Sequence, residues 1–475
     1  MKLYDTLSRD KQQLPPPSEK PIITMYSCGP TVYDDTHIGH MRRYVMDDVL
    51  KRALIYFGYD VHHVMNITDV GHLTGDDDSG EDKLEKGAAK HGKTVWDVAQ
   101  EYEEQFWQTM SALNIVKSDI EVLHATQHIE EMISIIKKLE EKGYTYASNE
   151  ALYFDVTKFR DYGKLSGQKL EEKKQAVREE VYVDSGKKHP ADFALWFKRV
   201  GRFADHTMHW ESPWGDGFPG WHIECSAMSM KGLKTETLDI HTGGIDHIPV
   251  HHENEIAQSE ATTGKPFVKW WVHHAFLQVN GEKMSKSKGN FYTLKDIETH
   301  EINPLSLRLF FMQAHYKKPI NFTWEAAQAS NSSFDELHQI YHELEESVGE
   351  NRVDNRDNLS GGALFFLEQF EENIANDLNV TTAIGNLWYM LRSSDVPNVD
   401  KLYLLQIADE ILGLQVDQPI ATVTEVPEDV KDLAEKRQKA REEKDFSKSD
   451  ELRNEIEKAG YLIEDSSDGY TIKKK

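Results

Sequence analysis

Residues 22–68 read "IITMYSCGPTVYDDTHIGHMRRYVMDDVLKRALIYFGYDVHHVMNIT". Residues 22–28 alternate, are rich in β-formers and read as a strand. "GPTVYDDTHIGH" follows as a glycine-bearing loop. Residues 41–58 place apolar side chains at helical spacing and stop at Gly58. Residues 59–68 return to a strand pattern. Strand, loop, helix and strand make a βαβ unit, the start of an α/β, Rossmann-type doubly wound parallel sheet.

A similar unit recurs about 170 residues later. "TLDIHTGG" (237–244) is a strand ending in glycines, and "VHHENEIAQSEATTG" is a helix closed by Gly264. Residues 268–279 read as one further strand, and 280–290 as a lysine-rich, glycine-flanked loop. Between the two halves, roughly 110–220, lies a mixed insertion. From "NPLSLRLFF" to about 415 helical periodicity dominates and predicts a bundle. Residues 415–429 have no clear period and read as a linker. Two charged helices follow, with Gly460 at the second one's C-cap, then a hairpin turning near Asp468-Gly469. The expected domains are 1–310 (nucleotide-binding), 311–415 (helical bundle) and 416–475 (a small α+β domain).

With 475 residues and 39% apolar content the chain is long enough for about three packed domains. No apolar run reaches membrane-spanning length, and "MKLYDTLSRDKQQLPPPSEK" lacks the apolar core of a secretory signal. Only two cysteines, Cys28 and Cys225, argue against a disulfide framework and for the reducing cytoplasm. The formal net charge is −26, which at first sight disfavours nucleic acid. Its distribution is uneven, because 431–475 holds 12 Lys/Arg against 12 Asp/Glu, so the rest of the chain carries the whole excess.

Three constellations carry chemistry. "THIGHMRR" (36–43) opens a helix after a strand, where exposed amides and Gly39 admit a phosphate and His37 and His40 can donate to it. The bland alternative is a helix cap with two surface histidines. "EKMSKSKGN" (282–290) can neutralise a triphosphate, or be only an exposed basic loop. Both follow strands of a parallel sheet, at the ends where ligands gather. The third is "VHHENEIAQSE" (250–260): His251 and Glu255 share a helix face, and with the two thiols they make a tetrahedral zinc set. His252, His241 and His247 remain competitors for the imidazole, and buried free cysteines are the plain alternative. A zincin helix would need histidine where Ile256 stands.

"HIGH" (37–40) and "KMSKS" (283–287) resemble the two motifs of class I aminoacyl-tRNA synthetases. "YSCGPTVYDDTHIGH", "NITD" (66–69), "DFALWF" (192–197), "SPWGDGFPGWHIECSAMS" (212–229) and "HHENEIAQSE" are similar to the cysteinyl-tRNA synthetase family. Likeness continues through "DLNVTTAI" and the charged tail, so effectively the whole chain is covered. The resemblance implies Zn²⁺ on Cys28, Cys225, His251 and Glu255, and an amino-acid pocket formed by Cys28, Gly29, Thr68 and Trp221. It implies adenosine at Gly243, Gly244 and Asp246, with Gly39 also at the nucleotide, and ATP phosphates, with Mg²⁺, at His37, His40, Lys283 and Lys286. The implied partners are ATP, L-cysteine and cysteine tRNA, with the bundle and tail gripping the tRNA, and a monomer is expected. The chain departs from the family pattern at Thr242, His247, Pro249, Val250 and Phe218, and 70–90 is unusually acidic. Two rivals are a cysteine ligase joining cysteine to an amino sugar, which the tail disfavours, and a non-enzymatic tRNA-binding relic, which the intact motifs disfavour.

Overall fold

The strand expected at 22–28 spans Ile22–Ser27 (β1) in a computed structural model that describes residues 1–71, 73, 82–170, 184–285, 288–419, 428–442, 445–466 and 469–474. Four more strands join it in the central sheet: β2 (Asp60–Ile67), β3 (Glu121–His124), β4 (Leu238–Gly244) and β5 (Val268–His274). Every neighbouring pair is parallel, in the order β5-β4-β1-β2-β3. The chain winds outward through β2 and β3, then restarts at β4 on the other side of β1. The reversal between β1 and β4 is where doubly wound folds bind ligands. Ile23, Met25 and Tyr26 of β1 have no exposure, as expected of a parallel strand covered on both faces.

Three helices matter for the site. α1 (Ile38–Tyr56) follows β1, α2 (Trp221–Gly232) precedes β4, and α3 (His251–Thr263) joins β4 to β5. Gly264 closes α3 in a left-handed conformation, φ 73°. β3 lies within the segment assigned to the insertion, so the central layer extends to residue 124 before the insertion begins. The insertion itself builds a helix, Ile129–Glu141, and a four-stranded antiparallel sheet from Thr145–Ala147 to Gly217–Pro219. Its core, including Phe154, Phe193 and Trp196, packs on Ile223 and Met228 of α2.

The stretch 268–279, expected as one strand, forms two. After β5 the chain breaks at Ala275-Phe276, whose carbonyls turn to the buried Arg42 guanidinium (2.9 and 3.2 Å). Leu277–Val279 then pairs with Glu282–Lys283 and Ile320–Phe322 in a separate three-stranded sheet.

The chain divides into two compact units, 1–417 and 418–475. The helical bundle, Trp324–Val348, Gly361–Ala375, Val380–Arg392 and Asn398–Leu412, belongs to the first. Buried Arg308 ties it to α1, donating to Leu412 O (2.6 Å) and Leu113 O (2.9 Å) and pairing with Asp48 (2.5 Å). The second unit holds helices Glu428–Glu442 and Phe446–Lys458 and the hairpin Tyr461–Ser466/Gly469–Lys474 around Val430, Ala434, Ile456 and Ile463. Gly460, at φ 87°, follows the second helix; Asp468 lies outside the described residues. Among the described residues no helix is long and apolar enough to cross a membrane.

His63 is buried on β2 with Nε2 2.9 Å from Ser27 Oγ. Burial, aided by the Lys51 charge, pushes its pKa down from 6.5 to about 4. The unfolded imidazole therefore binds a proton that the folded one refuses between these values, and stability is lost as pH falls through that window. Urea unfolding at about pH 7 and about pH 5 should show on the order of 1–2 kcal/mol more acid loss in wild type than in His63→Gln. Equal losses in the two proteins would contradict the assignment.

Candidate active site and metal centre

Cys28 is the first residue past β1, Asn66 to Thr68 end β2, Gly243-Gly244 end β4 and His274 ends β5. All sit at the carboxyl edge of the sheet, beside the start of α1. There they border a cavity of about 420 Å³ whose lining includes Cys28, His37, His40, Trp221, Asp246 and Lys283. Phosphate-type and thiol-type groups thus face one space.

At its floor the ligand atoms of Cys28, Cys225, His251 and Glu255 all lie within 4.8 Å of one another, and all four residues are buried. A tetrahedral Zn²⁺ with bonds of about 2.0–2.3 Å needs edges of roughly 3.3–3.8 Å, so modest contraction suffices. Glu255 carries a second indication. Its Oε2 is 2.9 Å from His241 Nε2, while Oε1 lies 3.0 Å from His251 Nε2 without forming an aligned hydrogen bond. That buried oxygen is an acceptor suited to a cation. A second grouping, Cys28 with His241, His252 and Glu255, is equally close but lacks Cys225. His252 Nε2 is 3.3 Å from Cys28 Sγ and 3.9 Å from Glu255 Oε1, and its Nδ1 bonds His273 (2.8 Å).

The electrostatics favour anionic ligands. Burial alone would raise Glu255, but His241 and His251 outweigh it and hold the carboxyl at about 2. Burial would lower His251; Glu255 and Cys28 outweigh it and raise the ring to about 10. Burial also opposes ionisation of Cys28, yet its hydrogen bond with Cys225 and the His252 charge bring its pKa well below the usual thiol value. Cys225 moves the other way, chiefly because it donates to Cys28.

The substrate side is built just as tightly. A β-carbon at Gly29 would lie 1.4 Å from Asn66 O, so only glycine fits there. Asn66 accepts from Gly29 N (2.7 Å) and donates to Thr68 Oγ1 (2.9 Å), which donates to Glu224 Oε2 (2.9 Å). Trp221 opens α2 with its ring 4.1 Å from that of His251. Asn66, Glu224 and His222, whose Nδ1 is 3.0 Å from His251 Nδ1, were not singled out from sequence. The i, i+2 spacing of Asn66, near the end of β2, and Thr68, just past it, was the available signal; the partners 156 and 29 residues away were not.

On the nucleotide side, His37 caps α1, its Nδ1 accepting from Gly39 N (3.1 Å) and His40 N (3.3 Å). The ring stacks on His40 at 3.7 Å. Lys283 is exposed at the cavity edge, 5.6 Å from the Phe276 ring centroid, and Lys286 lies outside the described residues. A β-carbon at Gly243 would come within 2.5 Å of His252, and at Gly244 within 2.1 Å of Asp246 Oδ1. Of the departures from the family pattern, Phe218 is core, stacked 3.9 Å from His206, and Thr242 donates to Ser27 Oγ (2.9 Å). His247 lines the cavity, 5.1 Å from the His252 ring. Of the acidic stretch 70–90, residues 72 and 74–81 fall outside the described residues, and a helix, Lys83–His91, begins just after them.

This fold and its site define a class I aminoacyl-tRNA synthetase. Residues 15–332 match the model for the tRNA synthetases class I (C) catalytic domain, and 423–472 match the cysteinyl-tRNA ligase anticodon binding domain. The chain belongs to the cysteinyl-tRNA ligase family. It is 40% identical over 495 residues to the cysteine–tRNA ligase of Treponema denticola, covering 100% of this chain and 99% of that one. It is 40% identical over 485 residues to that of Borreliella burgdorferi, with the same coverage. In fold it is similar to Mycobacterium tuberculosis methionyl-tRNA synthetase in complex with methionyl-adenylate (TM-score 0.57, 15% identity, covering 84% of this chain and 91% of that one). It is likewise similar to the Agrobacterium radiobacter K84 LeuRS in its ternary tRNA complex (TM-score 0.59, 11% identity, 84% and 86%).

Gly29→Ala tests the packing. Overpacking against Asn66 should lower the unfolding free energy by about 1–3 kcal/mol or more. An unchanged melting temperature would show that the backbones are not so close.

Proposed function

We propose that the chain activates L-cysteine with ATP, forming cysteinyl adenylate and pyrophosphate, and then passes the cysteinyl group to the terminal ribose of cysteine tRNA. The observation that carries this reading is the convergence of two thiols, an imidazole and a carboxylate beneath a cavity flanked by His37, His40 and Lys283. A Zn²⁺ on Cys28, Cys225, His251 and Glu255 would supply a soft Lewis acid that prefers the substrate's sulfur to the oxygen of serine. His251 fits better than His252 as the imidazole ligand, because its grouping alone contains both thiols.

The remaining work belongs to the chain. The Asn66–Thr68–Glu224 network and the Trp221 ring orient the amino acid. His37 spends Nδ1 on the helix cap, so its ring proton sits on Nε2, where it can be donated to a phosphoryl oxygen. His40, stacked on the His37 ring, serves as a second donor, and Lys283 and Lys286 supply positive charge. Asp246 and the Gly243-Gly244 turn receive adenosine, and Mg²⁺ arrives with the triphosphate. The attacking carboxylate is already ionised, so the first step needs positioning and charge stabilisation rather than a base.

Residues 428–474 are proposed to read the anticodon. Residues 323–412 contain 17 Asp/Glu and 4 Lys/Arg, a net of −13, so the bundle can offer few phosphate contacts. Two buried free thiols suit a reducing compartment, the cytoplasm.

Cysteine-dependent ATP–pyrophosphate exchange followed by charging of cysteine tRNA is the decisive assay. Exchange without charging would favour the amino-sugar ligase, and no exchange would exclude both enzymes. Cys225→Ser should remain folded, lose its stoichiometric zinc and accept serine more readily. Retained metal and unchanged discrimination would refute the ligand set.

A further inference from the structure

Arg42 lies one turn into α1, beyond His37 and His40, and is 1% exposed. Among the described residues none of its hydrogen-bond partners is a carboxylate. Its guanidinium donates to four backbone carbonyls: Ala275 (2.9 Å) and Phe276 (3.2 Å) through Nη1, His315 (3.2 Å) and Lys318 (2.7 Å) through Nη2. Burying a cation against dipoles alone is costly, and burial lowers the Arg42 pKa to about 10. Such an arrangement calls for a use.

The four carbonyls belong to two segments. Ala275-Phe276 leads into Leu277–Val279, and His315 to Lys318 leads into Ile320–Phe322. These strands pair in parallel, Leu277 opposite Ile320, and Lys283 pairs with Gln278 on the free side. Arg42 therefore grips the root of the small sheet whose edge carries Lys283. One turn earlier α1 touches the far end of the same region. Ile38 N donates to Tyr292 O (2.9 Å), His37 bridges to Thr293, and Met284 Cε would lie 2.5 Å from a β-carbon on Gly39. Residues on one face of α1 thus hold both the root and the tip of the lysine-bearing segment.

We infer that Arg42 is a positioning residue that sets the separation between the histidine-bearing helix start and the sheet carrying Lys283, so that both act on one nucleotide. The inference rests on reading this cavity as the site of ATP-dependent cysteine activation. Misplacement by about 1 Å can cost on the order of a hundredfold in rate. Because Arg42 touches neither the metal-type ligands nor the amino-acid pocket, cysteine binding is spared.

The test compares wild type, Arg42→Lys and Arg42→Met in cysteine-dependent ATP–pyrophosphate exchange, zinc content, and limited tryptic cleavage after Lys283 and Lys288. In Arg42→Met, kcat should fall about a hundredfold with cysteine KM and zinc content unchanged, and cleavage should accelerate. Arg42→Lys, which can serve only some of the carbonyls, should fall between, and it carries the test if Arg42→Met does not fold. Unchanged kcat, a rise in cysteine KM in place of the kcat loss, or unaltered cleavage would overturn the inference. If wild type shows no exchange, the ligase reading fails, and the cleavage comparison still judges Arg42 by itself.

Discussion

A fully buried carboxylate on α3, set against β4, constrains everything around it. Glu255 has no exposure, and an isolated carboxylate in such surroundings would be prohibitively costly. It is held by His241 from β4 and His251 from its own helix. His251 is in turn met by His222 of α2, and His252 reaches His273 of β5, which contacts Thr6 (2.8 Å). Four elements between residues 221 and 274, and Thr6 near the start of the chain, are locked to one another by polar contacts. Tyr26, Val64, Ile256 and Trp271 form one buried apolar cluster with both thiols beside this centre. The arrangement therefore resists exchange of any single member, because each ring nitrogen is oriented by the next.

The periodic parts of this architecture were legible. β1, α1, β2, β4 and α3 fall within a few residues of their pattern-based limits, because alternation and helical spacing report a buried face directly. β3 was hidden in the insertion because four residues, "EVLH", are too short to show a period. The break at Ala275-Phe276 had no local signature, since its cause is an arginine 233 residues earlier in sequence. Helical spacing paired Glu255 with either of two histidines, and the neighbours that differ between them, His222 for His251 and His273 for His252, lie on other elements.

Charge adds a different lesson. The overall −26 is not spread evenly, and half of it resides in the bundle between 323 and 412. A polyanionic partner approaching this chain is repelled most strongly there and least by the locally neutral 431–475. Such a distribution steers docking as much by exclusion as by attraction.

The strand order also has a consequence in time. β1 lies between β2, made some 40 residues later, and β4, made some 215 residues later, with Met25 opposite Ile240. At roughly 5–20 residues per second, one edge of β1 waits on the order of ten seconds or more on the ribosome before its neighbour exists. During most of that interval Cys28 stands at an open strand edge without the second thiol, Cys225. The buried cluster of Cys28, Cys225, His251 and Glu255 can therefore close only after residue 255 has been synthesised, which makes it a late step of folding rather than its seed.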